Sequence, residues 1–231
     1  MRMTPFVVGH RGWPTRFPDN TLAGFLAAAG VADAVEVDVR RCSDGKLVLS
    51  HDPALGGLSV ADHPWAELGE IDLGDGHRPA LLDEAIGVVP DLSFQFEIKN
   101  MPHESGFEPD HRLGLEAAER ARPGDVVTSF NWETLAAVHR ALPEVATGVL
   151  VDAAGDVAGG ISECLRFGHR TLLPSVSFPV LEMIRAVDAG LEVCPWVVND
   201  GDRATELAGL GVSGIITDDP AVVRSALDSP L

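Results

Sequence analysis

The sequence predicts an α/β chain closed into a (β/α)8 TIM barrel with a small insertion after the second strand. Short β-branched runs alternate with amphipathic stretches almost from end to end, and eight strand–helix units follow one another. A length of 231 residues lies inside the range for one such barrel and is short for two domains.

Pro5–Gly9 reads as the first strand and delivers His10 at its C-terminal end. Thr21 caps a helix to Ala29, with Leu22, Phe25, Leu26 and Ala29 at helical spacing. Ala34–Arg40 alternates strictly, Ser43-Asp44-Gly45 turns the chain, and Lys46–Ser50 forms a further strand ending at His51. Residues 53–80 are rich in Gly, Pro and Asp, with one helical patch at Trp65–Glu70, and make the expected insertion. A helix over 81–88, a strand over 92–99 and a helix over 112–121 resume the alternation. Strands at 125–129, 146–151, 171–175, 192–198 and 213–217 follow, with helices at 131–141, 161–167, 179–188, 203–209 and 220–227. Such alternation produces parallel strands joined by crossover helices. No repeat or linker divides the chain, so residues 1–231 are expected to form a single domain.

Composition narrows the function. The formal charge of −18, with no cluster of Lys and Arg, argues against nucleic acid as a partner and against docking on an anionic membrane. An apolar fraction of 45% is enough for a folded core and rules out a disordered chain. Cys42, Cys164 and Cys194 are widely spaced and odd in number, the pattern of buried free thiols. No apolar run reaches the ~18 residues of a membrane span or the form of a signal peptide, so no stable membrane anchor and a cytoplasmic location are expected.

In barrels of this kind chemistry sits at the C-terminal ends of the strands, and polar residues converge there. Glu36 and Asp38 are two apart on one strand, on the same inward face about 6.6 Å from each other. Val35, Val37 and Val39 suit the opposite face, toward the helices. Glu97 lies on a neighbouring strand, and three hard oxygen donors match one divalent cation, Mg²⁺ or Ca²⁺. A solvent-facing antiparallel strand is the ordinary alternative for such acidic alternation, and the surrounding α/β pattern disfavours it. His10 and His51 make a natural acid–base pair. Arg11 and Lys99 either recognise a phosphate-bearing anion or simply pair with the carboxylates. Trp196 and Phe130 are placed to form an apolar wall for an uncharged part of a ligand. Asn20 or Thr21 is expected to cap the first helix. His63, His77, His103, His111, His139 and His169 fall in loops or helices and are expected to be solvated, with His103 and His111 within reach of the rim.

His10-Arg11-Gly12, Pro18-Asp19-Asn20-Thr21, Glu36-Val37-Asp38, His51-Asp52, Glu97-Ile98-Lys99, Ser129-Phe130, Trp196 with Asn199, and Thr217-Asp218 occur in one order across nearly the whole chain. This ordered set resembles the glycerophosphodiester phosphodiesterase family. The resemblance implies a TIM barrel that hydrolyses glycerophosphodiesters to sn-glycerol 3-phosphate and an alcohol. It further implies a cation on Glu36, Asp38 and Glu97, acid–base chemistry by His10 and His51, and phosphate contacts from Arg11 and Lys99. Two features depart from the family: Asp19 stands where glutamate is usual, and the segment after His51 is abbreviated. Two other readings remain open at this level, a lysophospholipase D-like phosphodiesterase and a non-catalytic phosphodiester-binding barrel. The polar loops at the rim favour a small glycerophosphodiester as the partner molecule, unless Leu55, Leu58, Val60, Trp65 and Leu68 line a trough for an acyl chain.

Overall fold

The computed structural model describes residues 4–229. The chain runs β1 (Phe6–Gly9), α1 (Leu22–Ala28), β2 (Ala34–Arg41) and β3 (Leu47–Leu49), then through the insertion as β4 (Ala54–Leu55), β5 (Leu58–Ser59) and α2 (Trp65–Leu68). It continues as α3 (Leu82–Val88), β6 (Ser93–Ile98), α4 (Arg112–Ala118), β7 (Val126–Ser129), α5 (Trp132–Ala141) and β8 (Ala146–Val151). The last elements are α6 (Val157–Phe167), β9 (Thr171–Pro174), α7 (Val180–Asp188), β10 (Glu192–Val193), α8 (Gly201–Leu210), β11 (Gly214–Thr217) and α9 (Pro220–Asp228).

Parallel pairing gives the strand order β10-β9-β8-β7-β6-β2-β1-β11. Backbone bonds from Ser213 N to Val193 O at 2.8 Å, Ile216 N to Pro195 O at 3.0 Å and Val198 N to Ile216 O at 2.9 Å join its two ends. The sheet is therefore a closed eight-stranded barrel without free edges. β3 lies outside that circuit, antiparallel to the top of β2 with Val39 opposite Leu49.

Alternation on each strand separates two cores. Val35, Val37 and Val39 pack outward with Phe25, Phe94 and Leu113 in the layer between strands and helices. Inside the barrel, Val8, Ala34, Leu150, Leu173, Cys194 and Ile216 form a smaller apolar cluster. The insertion has its own core: Cys42, Val48, Val60 and Leu68 are buried, with Leu55, Leu58 and Trp65 packed on them. The side chains that a lipid trough would need are thus used against one another. The hairpin of β4 and β5 turns through Gly56 and Gly57 at φ 53° and 85°, the positive angles that a two-residue loop of this kind requires.

Three expectations are corrected. α6 starts at Val157, four residues before the sequence suggested; Gly160 looks like a breaker but lets the helix lie close to the sheet, since a Cβ there would come within 2.8 Å of Val151. The regular strand expected over 192–198 shrinks to Glu192–Val193 because Pro195 has no N–H to donate. The segment stays extended, with Trp196 N bonded to Pro174 O at 3.1 Å. His169 is not solvated: it is 2% exposed, with Nδ1 2.8 Å from Thr147 Oγ1.

Candidate active site

The inward face of β2 carries Glu36 and Asp38, and β6 pairs in register so that Glu97 stands beside Asp38. All three are buried, and one oxygen from each lies within 4.8 Å of the others. Three carboxylates packed this closely repel unless cations enter. Lys99, one inward position beyond Glu97, sets its Nζ 2.8 Å from Asp38 Oδ1 and pairs with Glu97. Arg11 places Nε 3.0 Å from Asp38 Oδ2 and Nη1 2.8 Å from Asp19. Its backbone N–H donates to Glu36 Oε2 at 3.0 Å, an orientation set by φ 52° in the left-handed region that costs a non-glycine residue about 1–2 kcal/mol.

The charges divide unevenly. Burial, with Asp38 and Glu97 nearby, holds the Glu36 carboxyl well above the usual carboxylate range. Burial acts on Asp38 in the same direction, yet Lys99 and Arg11 outweigh it and hold that carboxyl below its ordinary value. Asn20 adds to this by donating from Nδ2 to Asp38 Oδ2 at 2.9 Å, while its Oδ1 accepts from the Asp38 N–H at 3.2 Å. Asn20 therefore braces a site carboxylate, and Thr21 alone caps α1, accepting from Gly24 N. Glu36 Oε1 is buried without any hydrogen-bond partner. An unpartnered carboxylate oxygen beside two further hard donors fits a divalent cation.

His10 leaves β1 with Nδ1 2.7 Å from Asp218 Oδ1 and Nε2 4.0 Å from Glu36 Oε2. Asp218 is fixed in turn by Asn199, whose Nδ2 donates to Oδ2 at 2.7 Å and whose Oδ1 accepts from Asp218 N at 2.8 Å. The His10 bond, against the opposing effect of burial, keeps the Asp218 carboxyl below its usual range. His51 follows β3, and the Ser50 N–H on the Asp38 carbonyl at 2.9 Å ties the end of β3 to β2. Its Nδ1 lies 2.8 Å from Asp52 Oδ1. His10 is 16% exposed and His51 45%, so the first is fixed in the barrel mouth and the second faces solvent. Trp196 donates from Nε1 to Leu173 O at 2.9 Å and meets Phe130 edge-on at 5.6 Å between ring centres. His111 is held by Thr134 Oγ1 at 3.0 Å, and His103 is exposed.

Reading the sequence alone gives no role to Asp218 or Asn199 and takes Asn20 only as a candidate cap of the first helix, whereas it braces Asp38 instead. The order of the motifs contains all three, but Asp218 stands 208 residues from His10, and only barrel closure brings them together.

Residues 10–222 match the glycerophosphoryl diester phosphodiesterase family. A glycerophosphodiester phosphodiesterase of Caldanaerobacter subterraneus is 28% identical, over 94% of this chain and 96% of its own. The structure of an Oleispira antarctica phosphodiesterase in complex with the product sn-glycerol-3-phosphate aligns with a TM-score of 0.86 at 27% identity, covering 98% of both chains. A glycerophosphodiester phosphodiesterase of Thermotoga maritima aligns at 0.78 and 25% identity, over 97% of this chain and 99% of that one. With the match running through every strand end described above, the chain belongs to the glycerophosphoryl diester phosphodiesterase family.

Proposed function

We propose that this protein hydrolyses small glycerophosphodiesters to sn-glycerol 3-phosphate and the free alcohol, acting as one domain over residues 1–231 in the cytoplasm. The observation that carries the reading is the buried Glu36–Asp38–Glu97 cluster, with its unpartnered Glu36 oxygen, at a rim that also carries His10. Glu36, Asp38 and Glu97 would hold one divalent cation, Mg²⁺ or Ca²⁺. When bound, such an ion supplies positive charge to the non-bridging phosphate oxygens.

Arg11 and Lys99 are the cations of this chain that would meet the phosphate, and the ion pairs of their charged groups with Asp19, Asp38 and Glu97 hold both beside the cluster. Hydrolysis breaks the P–O bond to the alcohol and forms a new one to the attacking oxygen. That attack must lose a proton, and the departing alkoxide must gain one. His10 and His51 are assigned to these two transfers. Asp218 fixes Nδ1 of His10 and so turns Nε2 toward the cluster. Such proton transfers are worth about 10²–10⁴-fold in rate. Trp196 and Phe130 give the glycerol carbons an apolar wall. The product bound by the Oleispira relative is consistent with this substrate class.

The lysophospholipase D-like reading loses its main support, because the insertion packs its apolar side chains on one another. Comparing kcat/KM for glycerophosphocholine and for lysophosphatidylcholine below its micelle concentration tests the choice. A clear preference for the water-soluble diester is expected, and a preference for the lysolipid would overturn it. Turnover of neither, with cation supplied, would instead favour the non-catalytic barrel.

A further inference from the structure

β2 presents a third charged residue on its inward face, one step beyond Glu36 and Asp38. Arg40 is 5% exposed and touches none of the three carboxylates. Its guanidinium turns sideways. Nε lies 3.2 Å from the Ser50 carbonyl and 3.1 Å from that of His51, and Nη2 donates to the His51 carbonyl at 2.6 Å. Nη1 lies 2.8 Å from Glu104 Oε2, in the loop between β6 and α4. A buried guanidinium whose donors end on Glu104 and on the backbone of Ser50 and the exposed His51 has no evident task in the barrel core, which Val8 and its neighbours already form.

Glu104 stands in a loop that is itself anchored. Asn100, fully buried, accepts from Glu108 N at 2.8 Å and donates to Glu108 O at 2.9 Å, closing the loop on itself. Arg41, facing the other way, reaches Glu108 at 2.6 Å and Glu116 at 2.6 Å. Two consecutive arginines thus bind one loop from both faces of β2. The outer arginine secures the base of the loop, and the inner one connects Glu104 to the His51 backbone. His51 needs such a brace more than His10 does. His10 has Asp218 locked by Asn199, whereas among the described residues the only hydrogen-bond partner of the His51 ring is Asp52, itself 75% exposed.

We propose that Arg40 is a positioning residue for His51, fixing the height of its backbone above the Glu36–Asp38–Glu97 cluster, with Glu104 setting the direction of the guanidinium. This rests on His51 being one of the two proton-transfer groups. A guanidinium fork suits two neighbouring carbonyls and a carboxylate at once, and an ammonium does not. A displacement of His51 by an ångström is the kind of error that costs about 10²-fold in turnover.

The test is a double-mutant cycle on glycerophosphocholine hydrolysis, with Arg40→Gln, His51→Ala and the pair, each checked for melting temperature. Arg40→Gln should lower kcat by about 10–100-fold with KM within about 3-fold. In the His51→Ala background the same change should cost less than about 3-fold, because the group it positions is gone. An equal loss in both backgrounds would make Arg40 merely structural and overturn the proposal. Near wild-type turnover of His51→Ala itself would instead remove the assignment of His51 on which the proposal depends. If Arg40→Gln does not fold, Arg40→Lys and Glu104→Gln replace it in the same cycle. Each should then show a smaller kcat loss that vanishes without His51, and a loss that persists would overturn the proposal equally.

Discussion

The two ends of the barrel interior are built from the same strands and differ in almost everything else. Toward the N-terminal ends the inward side chains include Val8, Ala34 and Cys194, opening onto a cavity of about 570 Å³ ringed by Phe6, Ser93 and Glu192. Toward the C-terminal ends they are Glu36, Asp38, Glu97 and Lys99, drawn together by ion pairs. This cavity therefore lies at the end opposite the acidic cluster. Burial of neutral apolar groups there stabilises the fold, whereas the opposite end holds buried like charges that the fold must tolerate. In the function proposed above, convergent charge and not this cavity marks the working end.

Removing a proton-transfer group should produce the sharpest contrast between the ends. His10→Ala and His51→Ala should each lower kcat by about 10²–10⁴-fold, with melting temperature and cation binding close to wild type. On a nitrophenyl phosphodiester, whose leaving group scarcely needs a proton, the variant that lacks the general acid should recover part of its rate. Near wild-type kcat for either variant would remove that histidine from the mechanism.

A change at the far end should do the reverse. A Cβ on Gly148 would come within 2.6 Å of Leu173 inside the barrel. Gly148→Ala should cost about 1–3 kcal/mol of stability through overpacking and leave kcat within about 2-fold at a temperature where the protein is folded. Loss of activity without loss of stability would break the division between the two ends.

Much of the acidic cluster is legible in the sequence because its signal is local. A strict two-residue alternation puts Glu36 and Asp38 on one face, and Glu97-Ile98-Lys99 repeats the device on the next strand of the barrel. What stayed hidden depends on closure. Asp218 reaches His10 only once β11 pairs with β1, and Arg40 reads as one more strand residue until β3 folds back beside it. Length of an element was also obscured where packing overrides propensity, as at the start of α6 and beyond β10. His169 was misjudged for the same reason: its loop lies against β8, under Thr147 and beside the His139 ring at 5.8 Å.

A smaller effect separates charge that does work from charge that is avoided. Glu36→Gln should leave the cation-free protein as stable as wild type or up to about 1 kcal/mol more so, since it removes a buried carboxyl that repels two others. The same variant should lose the rise in melting temperature that wild type shows with Mg²⁺ or Ca²⁺. A cation-dependent rise as large as that of wild type would take Glu36 out of the site.

Acid should weaken the fold through His169, far from the rim. Burial, with His139 beside it, pushes its pKa down to about 4 from an ordinary value near 6.5. The unfolded chain therefore binds a proton that the folded chain refuses, and stability present above about pH 6.5 is lost as pH falls toward 4. The loss should be on the order of 1–3 kcal/mol, and His169→Asn, which can keep the Thr147 bond, should flatten that limb in denaturant titrations from pH 7.5 to 4.5. An unchanged slope would assign the acid limb to other groups.

The central claim is that the buried carboxylates serve a cation used in phosphodiester hydrolysis, and release of sn-glycerol 3-phosphate from glycerophosphocholine by metal-stripped protein tests it most directly. No product should form in excess EDTA, activity should return on adding Mg²⁺ or Ca²⁺, and Glu36→Gln should not respond. Full turnover in EDTA, with elemental analysis showing no retained metal, would contradict the account.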